Sequence, residues 1–320
     1  MKRIFEVLYS SVVVVCFAGP ARAAQPGCGA QPSTDINTYV LFAYSSLQFQ
    51  GGQNASWGNI YGGNVGVNAV AGSSPTCDVG TSDRFYMSDN TCLVADRLRF
   101  GSSASAYNIY YNKTYGAFGG TIRHASSGFT APLISNLPSL GFTPGRAATA
   151  SATDYADSTT LTLAPGTYRN ITVASGGILN LSAGTYDINN LSSDGNTTVN
   201  VSDGTILRID GAFSLGNGSS FGVGTGGLAE VLVGSSGVGS GNPTINFGSS
   251  LTAYGLFFAP NGALRLGGNN NLFGRYWANT ITSDLNDNMT FLVPEPSALV
   301  LISFGLIAYL VQRRRRSVSV

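Results

Sequence analysis

The sequence predicts an all-β body, built as a parallel β-solenoid (β-helix), with an N-terminal signal helix and a single C-terminal membrane helix. Three observations predict it. Short alternations of apolar residues recur between Gly, Asn and Asp turns along the body, the mark of many short strands. A helical period is confined to the two termini. A strand-turn unit also repeats: Leu163-Ala164-Pro165-Gly166-Thr167-Tyr168 is echoed 18 residues on by Leu181-Ser182-Ala183-Gly184-Thr185-Tyr186, and more loosely by Val201-Ser202-Asp203-Gly204-Thr205-Ile206.

Between these turns run Asn170–Val173, Ile178–Leu181, Thr198–Val201 and Ile206–Ile209, each placing alternate aliphatic side chains on one face. One coil cannot bury its own apolar face, whereas stacked coils make a thin continuous core. Tyr168 and Tyr186 are expected to stack as an aromatic ladder. An antiparallel sandwich uses similar strands and turns; the recurring offset and the repeated turn sequence favour the solenoid.

In chain order, residues 1–23 read as a secretory signal. Lys2 and Arg3 are its positive start, Val12–Gly19 its short apolar run, and Ala21-Arg22-Ala23 the small-x-small pattern that a signal peptidase cuts. The run is too short to span about 30 Å of hydrocarbon. Residues 24–130 form an N-terminal β-rich block, with a coil at Gly58–Asn68 and strands at Leu93–Phe100 and Tyr107–Tyr111. Residues 131–160 carry Pro132, Pro138 and Pro144 with little periodicity and read as a linker or excursion; a short helix over Ala131–Leu137 is a minor alternative. The repeat block occupies residues 161–283 and continues through Leu251–Phe258, Ala263–Leu266 and Asn271–Ala278. Residues 284–292 read as a flexible spacer.

The chain holds 17 basic and 16 acidic residues, but seven of the basic ones (Lys2, Arg3, Arg22 and Arg313–Arg316) lie in the two ends. Only Glu6 and Glu295 among the acids do, so the body is net acidic by about four charges. With no basic stripe, no nucleic-acid partner is expected. Cys28, Cys77 and Cys92 survive export into an oxidising compartment. Cys77 and Cys92 flank the polar loop Asp78–Thr91, and a bond between them would stabilise by roughly 3 kcal/mol; the rival is Cys28 with either one.

Chemistry is sparse. His124 is the single histidine, no nucleophile elbow precedes a helix, and neither a metal site nor a cofactor is expected. Asp187, Asp194, Asp203 and Asp210 fall in successive coils with Arg169 and Arg208 near them. Stacked coils lie about 4.8 Å apart, which suits paired carboxylates acting on a glycoside, but the turn settings of Asp194 and Asp203 have an ordinary explanation. Asp284-Leu285-Asn286-Asp287-Asn288 is a poor match to a calcium loop. Tyr107, Tyr110, Tyr111 and Tyr115, among Asn108, Asn112 and Lys113, suit glycan contact, with edge cover of the core as the plainer role.

The far end is more specific. Val293-Pro294-Glu295-Pro296 is followed by the apolar stretch Ala298–Val311 and by Arg313-Arg314-Arg315-Arg316. The prolines stop any regular element at the junction. The stretch is marginal as a membrane helix, and the arginines hold its far end in the cytoplasm. This order resembles the PEP-CTERM sorting signal. The resemblance covers residues 293–316 and implies an exosortase, a membrane transpeptidase, that cuts near Pro294–Pro296. It also implies a Gram-negative envelope or exopolysaccharide-matrix protein, with a transient inner-membrane anchor. The repeat block, with its Ala259-Pro260-Asn261 corner and Phe273-Gly274 coil start, resembles in style secreted β-helical surface domains of the polymer-forming and choice-of-anchor groups, which implies a structural or adhesive role. The expectation is therefore an exported, non-enzymatic matrix or surface protein involved in biofilm, with exopolysaccharide as its further partner. A polysaccharide-active lyase or glycosidase and a self-assembling filament stand as the alternatives.

Overall fold

The computed structural model describes residues 32–50, 58–70, 72, 74–80, 85–89, 91–129, 131, 133–147, 155–157, 159–222, 228–236, 243–284 and 286–292. The signal segment, Cys28, the sorting motif with Val293–Pro296, the apolar stretch and Arg313–Arg316 lie outside them. Among the described residues the structure is all-β, no helix is long and apolar enough to cross a membrane, and every strand pairing is parallel.

The strands stack as coils of three faces each. Ile178–Leu181 and Thr198–Val201 belong to the first face, Thr205–Ile209 and Ala229–Val233 to the second, and Phe213–Leu215 and Ile245–Phe247 to the third. Asn271–Asp284 runs across all three, because Gly274, at φ 129°, lets the chain turn where any Cβ would collide with the Gly255 carbonyl of the coil below. Most inward positions are aliphatic or aromatic, with a few buried hydroxyls such as Ser193, Thr205 and Ser283 among them. The core is narrow and continuous, with Phe257 at its centre against Phe213, Phe221, Phe247 and Tyr276.

The 18-residue echo holds where Leu163 lies opposite Leu181. Past the turn the register slips by two, so Gly166 faces Tyr186 and Tyr168 faces Ile188. The Tyr168 and Tyr186 rings still stack, 6.1 Å apart, because their side chains lean across the slip. Tyr186 is fully buried, and its hydroxyl donates to the carbonyl of Leu163.

Coil order differs from chain order. The stack begins at Tyr155–Asp157 and climbs to Asn288–Thr290, and the next coil comes from the opposite end of the sequence. Asn59 lies opposite Asn288, and Leu41–Ala43 lies opposite Tyr276–Ala278. The stack then rises through Cys92–Phe100 and Ser105–Phe118 to Thr121–Ser127, roughly eleven rungs or about 50 Å in all. Trp277 pins the junction, donating its indole N–H to the Tyr39 carbonyl at 3.1 Å, and Arg275 donates to Asn37 at 2.7 Å. The two β-rich blocks thus share one core.

This order leaves the chain at one end of the stack after Ser127 and requires it at the other end at Tyr155. The described residues of 128–147 make the return as a strap along the outside of the second face. The outward column there is apolar through Leu232, Phe258, Trp277, Phe42, Val94 and Tyr110, and Phe129, Leu133 and Ile134 cover it. At Gly66 the column has no side chain, and the Tyr39 ring fills the place. Asn68 clamps Ile134 from both sides, its amide donating to the Ile134 carbonyl at 3.0 Å and accepting the Ile134 N–H at 2.7 Å. Further along, Tyr44 donates to the Pro138 carbonyl, and Asp210 accepts the Ala147 N–H at 2.7 Å. These anchors follow the coil order, so the strap runs straight. The short helix over Ala131–Leu137 does not form; Asn68 takes the Ile134 backbone groups that a helix would use internally. Asn68→Ala is expected to lower stability by about 1–3 kcal/mol by stranding those buried groups, read by urea unfolding.

Candidate functional site

The site is the point where the chain leaves the fold towards its C-terminus. Residues 286–292 are not a spacer. Asn288–Thr290 is a rung, with Asn271–Phe273 below it and Asn59–Tyr61 above. Met289 points into the core, and the asparagines outside form a ladder: Asn59 donates to Asn288 at 2.8 Å, and Asn288 donates to Asn271 at 3.2 Å. The Phe291 N–H donates to the Tyr61 carbonyl at 2.9 Å, and the Arg275 guanidinium lies over the Phe291 ring. The chain is therefore fixed up to Phe291, and its exit lies on the flank of the stack, well inside both ends.

Asp287 locks the corner before this rung. Its carboxylate accepts from the Asn270 N–H and from the Ser283 hydroxyl, both at 2.9 Å. Burial pushes the carboxyl up to about 7 against these hydrogen bonds, and the nearby Asp284 adds to the rise. Its neighbour Asn286 takes the left-handed conformation at φ 82° and donates to Asn269 of the coil below, itself at φ 66°. An Asp/Asn run that resembled a poor calcium loop thus serves as a corner of the solenoid.

The other singled-out residues are dispersed. Tyr107, Tyr110, Tyr111 and Tyr115 do not share a surface: Tyr110 lies under the strap and Tyr111 packs on the core, while Tyr115 is exposed and Tyr107 meets Arg123 and His124. Strand alternation and the bend in Ser105–Phe118 separate them. His124 sits on the exposed terminal strand, not in a loop. Asp187 faces Arg208 at 3.9 Å, Asp210 holds the strap, and Asp194 and Asp203 stand at corners. Among the described residues no His, Cys, Asp and Glu group is placed to hold a metal.

Cys77 and Cys92 are not bonded to each other, against the sequence expectation. Cys77 is free and buried in the core, where burial pushes its thiol up, and Cys92 is disulfide-bonded. In the stack Cys77 lies opposite Leu98, six residues along from Cys92 and about 20 Å away along extended chain. Cleavage after Ala23 would remove Cys16 and leave Cys28 as the remaining partner within the chain. A Cys28–Cys92 peptide is expected in a non-reduced digest of the exported protein; a Cys77-containing disulfide would contradict this.

The sequence model of the PEP-CTERM protein-sorting motif matches residues 292–316. No curated protein and no solved structure matches the chain. The match begins directly after Phe291, the last of the described residues hydrogen-bonded into the stack, so the matched signal follows the folded body with no intervening residue. The chain carries a PEP-CTERM sorting motif on an all-β body, and the motif marks an exported protein that is sorted through the membrane and processed by an exosortase.

Proposed function

We propose that the chain is a structural or adhesive component of the cell surface or exopolysaccharide matrix of a Gram-negative bacterium. Signal peptidase removes the leader, the tail holds the chain in the inner membrane, and an exosortase cuts near Pro294–Pro296 to release or transfer the body. The observation that carries this reading is the motif's position directly after the closing rung, which makes the solenoid the cargo of the signal. The body suits that cargo role. Its outer rows of Asn, Ser and Thr are cross-linked rung to rung, as in Asn180 with Asn200 at 2.8 Å and Thr172 with Ser192 at 3.2 Å. Such rows offer a hydrated matrix a stiff, hydrogen-bonding surface. Changing Pro294, Glu295 and Pro296 together to alanine is expected to leave the chain at its unprocessed length in the membrane. Normal maturation of that variant would overturn the reading.

A further inference from the structure

The three outer faces of the solenoid differ in chemistry. The strap covers the second face. The third carries charge, with Asp78 and Arg99 paired and Arg265 3.8 Å from Asp284. On the first face the described outward positions from Thr160 up to Ser105 are uncharged, being Thr, Ser and Asn with Ile178, interleaved with aromatics.

The tail leaves at the corner where this first face turns into the second, just after Phe291, which lies beside Val40 and under the Arg275 guanidinium. One outward column on the first face runs Tyr254, Phe273, Thr290, Tyr61, and its Thr290 immediately precedes that corner. Tyr254 and Phe273 stack at 4.3 Å on one side of the exit, and Tyr61, 42% exposed, stands on the other. Ile178, exposed at 36%, lies on the same face.

Chain length sets the geometry. From Leu292 to Ala298, where the apolar stretch begins, the backbone spans at most about 22 Å fully extended. About 19 Å of coil lies on one side of the exit rung and about 29 Å on the other. A body standing on its end would need the tether to run down the wall for at least that shorter distance and then cross roughly 6 Å of headgroups, which exceeds its reach. Side-on, the tether suffices.

We infer that, before the tail is cut, the first face of the solenoid lies on the lipid headgroup surface, with Tyr61 and the Tyr254–Phe273 pair seated at the membrane interface on either side of the exit. Amphipathic aromatic rings favour that level, and the face brings no charge that must be neutralised there. The inference rests on the anchoring role of the tail.

The test places a photo-cross-linking phenylalanine analogue at Tyr61 or Tyr254 in the full chain, and at Thr172 or Asn246 on the third face as controls. Each variant, checked for β-sheet circular dichroism, is reconstituted into vesicles of phosphatidylethanolamine and phosphatidylglycerol, floated and irradiated. Lipid adducts several-fold higher at Tyr61 and Tyr254 than at the controls are expected. Equal adducts at all four positions, or none at Tyr61 in a chain that floats with the vesicles, would overturn the inference. So would transfer of the Tyr61 adduct to the exosortase or to exopolysaccharide when either is added. A chain that fails to float would overturn the anchoring reading, and this inference with it.

Discussion

Replacing Phe257 by alanine is expected to lower the unfolding free energy of the mature body by about 3–5 kcal/mol. The ring is fully buried and stands where the three faces converge, stacked on Tyr276 at 5.1 Å and touching Phe247 at 4.9 Å and Phe221 at 5.4 Å. A solenoid core is one side chain thick, so the coils above and below cannot close over the gap without moving backbone that is held on both sides by the ladder. The loss should therefore sit at the high end for a large-to-small change. Urea unfolding of the wild type and Phe257→Ala measures it, with Phe257→Leu expected to fall between them. A loss below about 1 kcal/mol would mean that the site collapses and that the core is not the continuous packing described.

The second large effect is a pH dependence. The Asp287 carboxyl is held near 7 in the fold and returns to the ordinary carboxylate range near 4 on unfolding. Between these values the folded chain carries a proton that the unfolded chain lacks, so unfolding releases it and stability falls as pH rises. The full benefit is present below about pH 4 and is gone above about pH 7. The shift corresponds to a difference on the order of 4 kcal/mol across that window. Asp287→Asn keeps an oxygen for the Asn270 N–H while removing the ionisation. It is expected to flatten the pH profile and to be the more stable protein at pH 8. Parallel profiles for the two proteins would show that the carboxylate is solvated.

Much of the body is legible in the sequence because parallel coils are locally redundant. Ile178–Leu181, Thr198–Val201 and Thr205–Ile209 each announce a strand by alternation, and the Gly- and Asn-rich turns mark the corners. The order of stacking is not legible. Asn59 pairs with Asn288 across most of the chain, and nothing in either segment's local pattern names its partner. The strap does leave a signal in the sequence. Tyr39–Ala43, Cys92–Ala95 and Leu256–Ala259 are continuous apolar runs, which mean burial on both sides of a strand, and a solenoid buries only one side by itself. Something had to cover the other, and the proline-rich segment with Leu133, Ile134 and Leu137 was the available cover. Residues 286–292 are hard to read as a rung because Asp and Asn suggest solvated chain; only Met289 between Asn288 and Thr290 signals it. The sorting tail was legible because its order of proline motif, apolar stretch and arginine cluster is encoded contiguously. The position of its exit, at the edge of the first face where the chain turns towards the second, depends on the stacking order and so required the structure.

The most direct test of the central claim is the intact mass of the protein recovered from its own producer, fraction by fraction. A species that begins near Ala24 and ends near Pro294–Pro296, found outside the inner membrane, is the predicted result. A membrane species that retains Arg313–Arg316 as its only form would contradict processing at the sorting motif and leave a solenoid permanently anchored by its tail.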